Sequence, residues 1–225
     1  MSNRPSSQTS ELINDTHNFG VLIKTREVFL SSNLDCAYEE ACIDHWAANR
    51  FIRNLQILNS ISQTPILIHM ITCGGVWEYG MAIYDAIKQS ASDTIILAYA
   101  HARSMSSIIL QAATWRVFMP NSYFLIHCGT WAPQNDNWTS AITEADWTKK
   151  QHERMLELYV EKCKDGHFWK REGLDQNGIK QWIQDQINRK QEVYMTAREA
   201  VDRGFADAVL GDEDFENIAA LRNDV

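Results

Sequence analysis

Ser104, His127 and the pair Gly74 and Gly75 are the positions in this chain where residue type and placement could support covalent chemistry. Ser104 stands where an apolar, strand-like run gives way to an apolar helix. A nucleophile there gains from the partial charge of the helix N-terminus and from the Met105 amide. Capping the helix is the other use of a serine at such a junction. The string Ala102-Arg103-Ser104-Met105-Ser106 lacks the glycines of the G-x-S-x-G elbow and so does not spell an α/β-hydrolase site. His127 closes the run YFLIH, at a strand end from which an imidazole can turn toward a cleft and act as general base. Tandem glycines after a strand and before a helix leave backbone N–H groups open to close approach, as an oxyanion hole requires; a plain turn is the other reading of Gly74 and Gly75. The other histidines are less well placed. His69 lies inside an apolar strand, His101 three residues before the serine, and His17, His45, His152 and His167 in polar segments or on helices. None pairs with Cys or carboxylates at metal-ligand spacing, so no metal is expected.

The elements that must hold these groups alternate between strand and helix. VLIK (21–24) and EVFL (27–30) read as short strands, and 38 to about 58 carries apolar residues near helical spacing. PILIHMI (65–71) is a continuous apolar run of strand length, as in a strand covered on both faces. A helix over about 77–89 and a second buried strand, TIILAYA (94–100), complete a β-α-β unit, which predicts parallel pairing. The helix after Ser104 is apolar nearly all round and belongs in the middle of the molecule. RVFM and YFLIH are strands flanking Pro120-Asn121-Ser122. A long helix is predicted over 141–164, standing out from the body like an outrigger. GHFWKREGLDQNG reads as a loop, IKQWIQDQINRKQ as a short helix, and TAREAVDRGFADAVLG as a helix closed by Gly204 before a last strand, ADAVL.

The composition narrows the classes of function. With 225 residues, 45% of them hydrophobic, the chain can build one sizeable core. Its formal charge is −8 and its Lys and Arg are dispersed, so nucleic acid and anionic lipid are not expected partners. No apolar stretch reaches about 18 residues, and the first residues are polar without an apolar core, which predicts a cytosolic protein. Cys36, Cys42, Cys73, Cys128 and Cys163 form no C-x-x-C pair and read as buried thiols rather than disulfides or zinc ligands. One domain is expected over 19–211, with a handle region and insertion at about 132–190. A flexible polar segment would precede it (1–18) and a peripheral acidic tail follow it (212–225).

Four blocks, CGGVWEYGMAIYDAI (73–87), ARSMS (102–106), PNSYFLIH (120–127) and TAREAVDRGFADAVL (196–210), stand in the order and near the spacing of one family. They resemble the proteolytic subunit of the ATP-dependent Clp protease, ClpP, over about 19–211. The resemblance implies an α/β fold of the ClpP/crotonase-like type, with repeated β-β-α units and a protruding handle helix. It implies a serine endopeptidase in which Ser104 is the nucleophile, His127 the general base, and the amides of Gly75 and Met105 the oxyanion donors. The family's orienting Asp is matched by Glu192, one methylene longer yet still an acceptor-only carboxylate. A solvated Glu192, a substitute Asp185 or a bare Ser-His pair remain open alternatives.

Other departures bear on substrate and assembly. Ile71-Thr72-Cys73 and Val76 flank the glycines, Trp77 and Tyr79 make the adjoining cleft bulkier, and Arg103 replaces a small residue before the serine. Val193 stands where the family has an arginine linked to contacts between rings, and the loop after His127 becomes GTWAPQNDNW. By the family pattern, 141–164 would interlock two stacked heptameric rings, and a separate Clp-type ATPase would unfold and thread protein substrates. This chain has no P-loop, so ATP would belong to that partner and no cofactor to this chain. Paralogous subunits could share the ring, in the host cytoplasm or in a plastid stroma if the gene is viral or organellar. A structural or regulatory subunit without turnover is the main alternative. A crotonase-like acyl-CoA enzyme and a serine-lysine peptidase are further ones.

Overall fold

The structure is a computed structural model and describes residues 6–31, 42–129 and 137–222. The N-terminal polar stretch is helical: α1 (Ser7–Asn14) is capped by Ser6 and continues into a π-helical turn, Asp15–Phe19, and neither has a buried residue. Strands β1 (Val21–Leu22) and β2 (Glu27–Ser31) follow, then α2 (His45–Ile61), whose N-cap Asp44 accepts from the Ala47 N–H. The part of the expected helix at 38–41 lies outside the described residues. Next come β3 (Ile66–Ile71), α3 (Trp77–Lys88) and β4 (Thr94–Ala98), and β3 and β4 pair in parallel as the β-α-β pattern predicts.

The chain then makes β5 (His101–Arg103), α4 (Met105–Leu110), β6 (Trp115–Phe118) and β7 (Tyr123–His127). Every residue of α4 is buried, in keeping with its apolar circumference. The long helix α5 (Trp138–Cys163) begins three residues before the expected 141, because Asn137 caps it by accepting from the Thr139 and Ser140 N–H groups. No residue of 138–154 is buried, whereas Met155, Leu158, Tyr159 and Cys163 pack into the body. One end of α5 therefore projects. The stretch expected as a loop instead holds α6 (His167–Glu172), pinned by Trp169, which is fully buried and donates from Nε1 to the Arg203 carbonyl at 2.7 Å. Helix α7 (Gln176–Lys190), strand β8 (Glu192–Thr196), helix α8 (Ala197–Asp202), strand β9 (Ala208–Val209) and helix α9 (Ile218–Leu221) complete the order.

Nine strands form two sheets among the described residues. The larger runs β1-β2-β3-β4-β6-β9 and is parallel except for β1 against β2; the smaller runs β5-β7-β8, with β7 and β8 antiparallel. Alternation divides the larger sheet's contacts. Val28, Leu30, Ile66, Ile68, Met70 and Ile96 join the main core. Leu67, Ile95, Leu97 and Val117 form a second, smaller core on the opposite face with Phe215 and Leu221. The acidic segment after Asp212 is thus not peripheral, because it supplies the cover of that face. Of the cysteines in the described residues only Cys163 is buried; Cys42 is exposed, Cys73 and Cys128 are intermediate, and none is bridged.

Candidate active site

Ser104 sits at the turn between β5 and α4 with φ 53 and ψ −133, a conformation that costs an L-residue of the order of 1–3 kcal/mol. Its hydroxyl makes no capping bond to the helix it precedes, so the capping use of this serine is not realised. The turn is instead held by the next serines. Ser106 Oγ donates to the Arg103 carbonyl at 2.6 Å and accepts from the Arg103 N–H at 2.9 Å. Ser107 Oγ donates to the Ser104 carbonyl at 2.5 Å and lies 2.7 Å from the Tyr159 hydroxyl. Since Ser107 has one proton and spends it on Ser104, Tyr159 is the donor in the second bond. Behind them Gln111 Nε2 donates to the Ser107 and Phe205 carbonyls, and Arg116 joins Gln111 Oε1 to Asp207. A buried polar chain from α5 and the end of the fold thus fixes the backbone of residue 104.

His127 ends β7, and Glu192, the first residue of β8, is its direct partner across the antiparallel pair. Glu192 is therefore on a strand, not in a loop, and on the same face as the imidazole. Its Oε1 lies 4.0 Å from His127 Nδ1, beyond hydrogen-bond range, while Oε2 accepts from the Tyr194 hydroxyl at 2.9 Å. Asp185, the substitute carboxylate, lies in α7, bonded to Gln181. Burial lowers the His127 pKa below its ordinary 6.5; Glu192 opposes that shift and Arg103 reinforces it. Nε2 is buried and, among the described residues, has no hydrogen-bond partner, so Ser104 Oγ is not bonded to it in this state.

The glycines take conformations that explain their type. Gly74 has φ 101, and a Cβ on it would stand 2.7 Å from Ser104 Cβ and 2.8 Å from the Met105 nitrogen; Gly75 has φ 148, and a Cβ would overlap the Ile43 backbone. Ile43 donates to the Gly74 carbonyl at 2.6 Å and accepts from the Val76 N–H at 2.9 Å in a parallel bridge centred on Gly75. That pairing turns the N–H of Gly75 to the opposite side. Neither this N–H nor that of Met105, the first helical residue of α4, donates a hydrogen bond among the described residues.

Ser104, His127, Gly75 and Met105 all line one cavity of about 500 Å³. Trp77 and Ile108 belong to its wall, and Trp147, Gln151, His152 and Met155 reach it from α5. Tyr79 instead stands beside His45, ring centroids 5.9 Å apart. Cys128 is a second nucleophilic side chain in the cavity, but burial pushes its thiol up to about 11, which leaves it protonated and inert near neutrality. No lysine lines the cavity among the described residues, which removes the structural basis for a serine-lysine pair. Among the same residues no cluster of three or more His, Cys, Asp or Glu could hold a metal ion.

Residues 10–213 match the family model described as Clp protease. The chain belongs to the Clp protease family. Among curated proteins it is similar to ATP-dependent Clp protease proteolytic subunit 2 of Treponema denticola, 32% identical over 108 residues, 47% of this chain and 50% of that protein. It is 30% identical over 92 residues to the ATP-dependent Clp protease proteolytic subunit of Carsonella ruddii, 40% of this chain and 47% of that one. To proteolytic subunit 2 of Prochlorococcus marinus it is 36% identical over 83 residues, 36% of this chain and 41% of that protein. The chain thus spans about half the length of the curated relatives it matches. Its α/β architecture is that of the Clp protease fold, and Gly75, Ser104, His127 and Glu192 all fall inside the family match. Among the described residues no helix is long and apolar enough to cross a membrane. The motifs did not single out Ser107, Tyr159 and His152; the first two are the braces of the Ser104 turn, and His152 Nε2 is buried at the cavity with no hydrogen-bond partner among the described residues.

Proposed function

We propose that this chain is a serine endopeptidase subunit. Ser104 Oγ attacks a peptide carbonyl carbon and gives its proton to His127 Nε2, and the Gly75 and Met105 N–H groups receive the charge on the carbonyl oxygen. Collapse breaks the C–N bond as His127 returns the proton to the departing amine. Water, deprotonated by the same imidazole, then hydrolyses the acyl ester. The observation that supports this reading best is the strained, uncapped Ser104 on one cavity wall with the His127 imidazole and two amides that, among the described residues, donate no hydrogen bond. The Ser-His bond forms as substrate closes the site, as is common where unliganded geometry is loose. Family membership supports assembly of such subunits into stacked rings and service to a Clp-type ATPase that supplies unfolded chains, with ATP consumed there. A cytoplasmic setting fits the composition.

Hydrolysis of a blocked fluorogenic peptide, measured with the assembled protein, tests the reading. Turnover lost in His127→Ala supports it; turnover kept there, or none in the wild-type chain, contradicts it. The pH profile carries a signed expectation. Because His127 works as a base and its pKa lies below 6.5, kcat/KM falls only as pH drops through that lowered value. Glu192→Gln removes the opposing charge and moves the acid limb lower still, whereas Arg103→Gln moves it higher. With Glu192 half-exposed, at 51%, and 4.0 Å away, its loss costs about two- to fivefold in kcat/KM, the worth of an exposed ion pair.

The braces behind the nucleophile give another result. Tyr159→Phe deletes the donor to Ser107 and so loosens the Ser104 carbonyl, lowering kcat about three- to tenfold with KM unchanged, the equivalent of one net hydrogen bond. Initial rates over a range of substrate concentrations check it; a change confined to KM would contradict it.

A further inference from the structure

The cavity beside Ser104 carries charge that the proton transfers of peptide hydrolysis do not use. On α5, Glu144, Thr148 and His152 line it in one row at i, i+4 spacing, and Trp147, Gln151 and Met155 line it in the neighbouring row. One face of the helix is therefore turned to the cavity. No residue of α5 before Met155 is buried, so packing of the body does not account for the types on that face. From α3 the first helical turn supplies Trp77 and Glu78 to the same cavity, and Gln151 Nε2 donates to Glu78 Oε1 at 3.3 Å. A carboxylate in the first turn of α3 also suits the helix N-terminus. That use explains Glu78 alone. It does not explain the Gln151 amide drawn to it from another helix, or a second carboxylate, Glu144, on the facing wall.

The sign of the charge is one-sided. Two carboxylates line the cavity, and among the described residues no lysine or arginine does. Burial lowers the pKa of His127 and of His152 below the ordinary 6.5, so neither imidazole brings lasting positive charge near neutrality. The rest of the lining is apolar or aromatic: Met105, Ile108 and Met155, with the indoles of Trp77 and Trp147. An apolar side chain entering here would strip water from the Glu78 carboxylate and return nothing to it, and an acidic one would be repelled. A long basic side chain uses both parts of the lining. Its methylene stem packs on the apolar residues, its head meets a carboxylate, and a guanidinium can stack on an indole.

We propose that the cavity selects peptides with arginine or lysine as the residue whose carbonyl is attacked, and that Glu78 is the residue that sets this preference. Glu144 adds negative charge from the α5 side, and Trp77 and Trp147 favour arginine over lysine. The proposal deepens the peptidase reading and rests on it for the position of the side chain relative to the scissile bond.

The test separates binding from turnover. Three blocked peptides that differ only in carrying Arg, Leu or Glu at that position are labelled with fluorescein and titrated against the assembled Ser104→Ala protein, read by anisotropy. Fluorogenic versions of the same peptides give kcat/KM with Ser104 intact. The Arg peptide should be favoured over the Leu peptide by about tenfold in both readouts, with the Glu peptide weakest. Glu78→Gln should cut the Arg-to-Leu ratio by about three- to tenfold, and Glu78→Lys should bring the Glu peptide above the Arg peptide. A general loss of structure lowers all three peptides together and leaves their ratios alone. Unchanged ratios in a folded Glu78→Gln chain therefore overturn the proposal, as does a chain with Glu78 intact that accepts Leu as well as Arg. Should a variant not fold, the order of the three peptides on the chain with Glu78 intact decides. If no peptide is hydrolysed, the peptidase reading fails, and the order of binding still decides whether the cavity selects a basic side chain.

Discussion

Ser104→Ala is expected to lower peptide hydrolysis by about 10⁴-fold or more while leaving the fold intact, the loss seen when the nucleophile of a serine hydrolase is removed. The fold survives because the Ser104 hydroxyl makes no capping bond, and its carbonyl, which accepts from Ser107, is unchanged. Alanine tolerates the turn about as poorly as serine, so the strain at φ 53 is common to both chains. Steady-state rates with the blocked peptide, beside melting curves, check both halves. A residual rate within about 10-fold of wild type would remove Ser104 from the chemistry.

The second large effect comes from a methyl group. In Gly74→Ala the new Cβ meets Ser104 Cβ at 2.7 Å, the Met105 nitrogen at 2.8 Å and the Arg103 carbonyl oxygen at 2.9 Å. None of these atoms can rotate away, and φ 101 is itself strained for alanine. The turn must move, taking the nucleophile and one oxyanion donor with it. Hydrolysis should fall by about 100-fold, the usual result of displacing a reacting group by roughly 1 Å. Stability should fall by about 2–4 kcal/mol, as for other strained backbone substitutions. Gly173→Ala is the control. It also has positive φ, 67, but nothing lies within 4 Å of its Cβ, so it should cost about 1 kcal/mol and leave hydrolysis unchanged. Denaturant melts and rates on both variants decide; equal losses would show that backbone strain alone, not the contact with Ser104, governs the effect.

What could be read from the residues follows from the range of each interaction. PILIHMI and TIILAYA announce themselves because a strand buried on both faces must be apolar throughout, and their parallel pairing follows from the helix between them. Strand β8 has no counterpart among the elements expected from the sequence, although Val193 and Met195 point inward and Glu192, Tyr194 and Thr196 outward, the alternation of a half-buried strand. Its consequence, Glu192 directly opposite His127, is a matter of register between segments 65 residues apart in sequence and has no local signal. Helix α6 is six residues long, too short for a period to declare itself, and owes its place to Trp169 and Arg203. The bond between Tyr159 and Ser107 spans 52 residues, so two hydroxyls that support the candidate nucleophile could be seen only in three dimensions. The C-terminal cover was hidden for another reason. Its many carboxylates read as a solvated tail, and only Phe215 and Leu221 are fully buried, with Ile218 partly buried against the same cluster.

Covalent labelling tests most directly whether Ser104 is the nucleophile. Treatment of the assembled protein with a fluorophosphonate, followed by intact mass and peptide mapping, should give one adduct per chain, on Ser104, formed by displacement of fluoride by the serine oxygen. The adduct should be absent from His127→Ala and slowed, not abolished, in Glu192→Gln. An adduct on another residue, or hydrolysis of peptide by a chain whose Ser104 stays unmodified under saturating reagent, would contradict it.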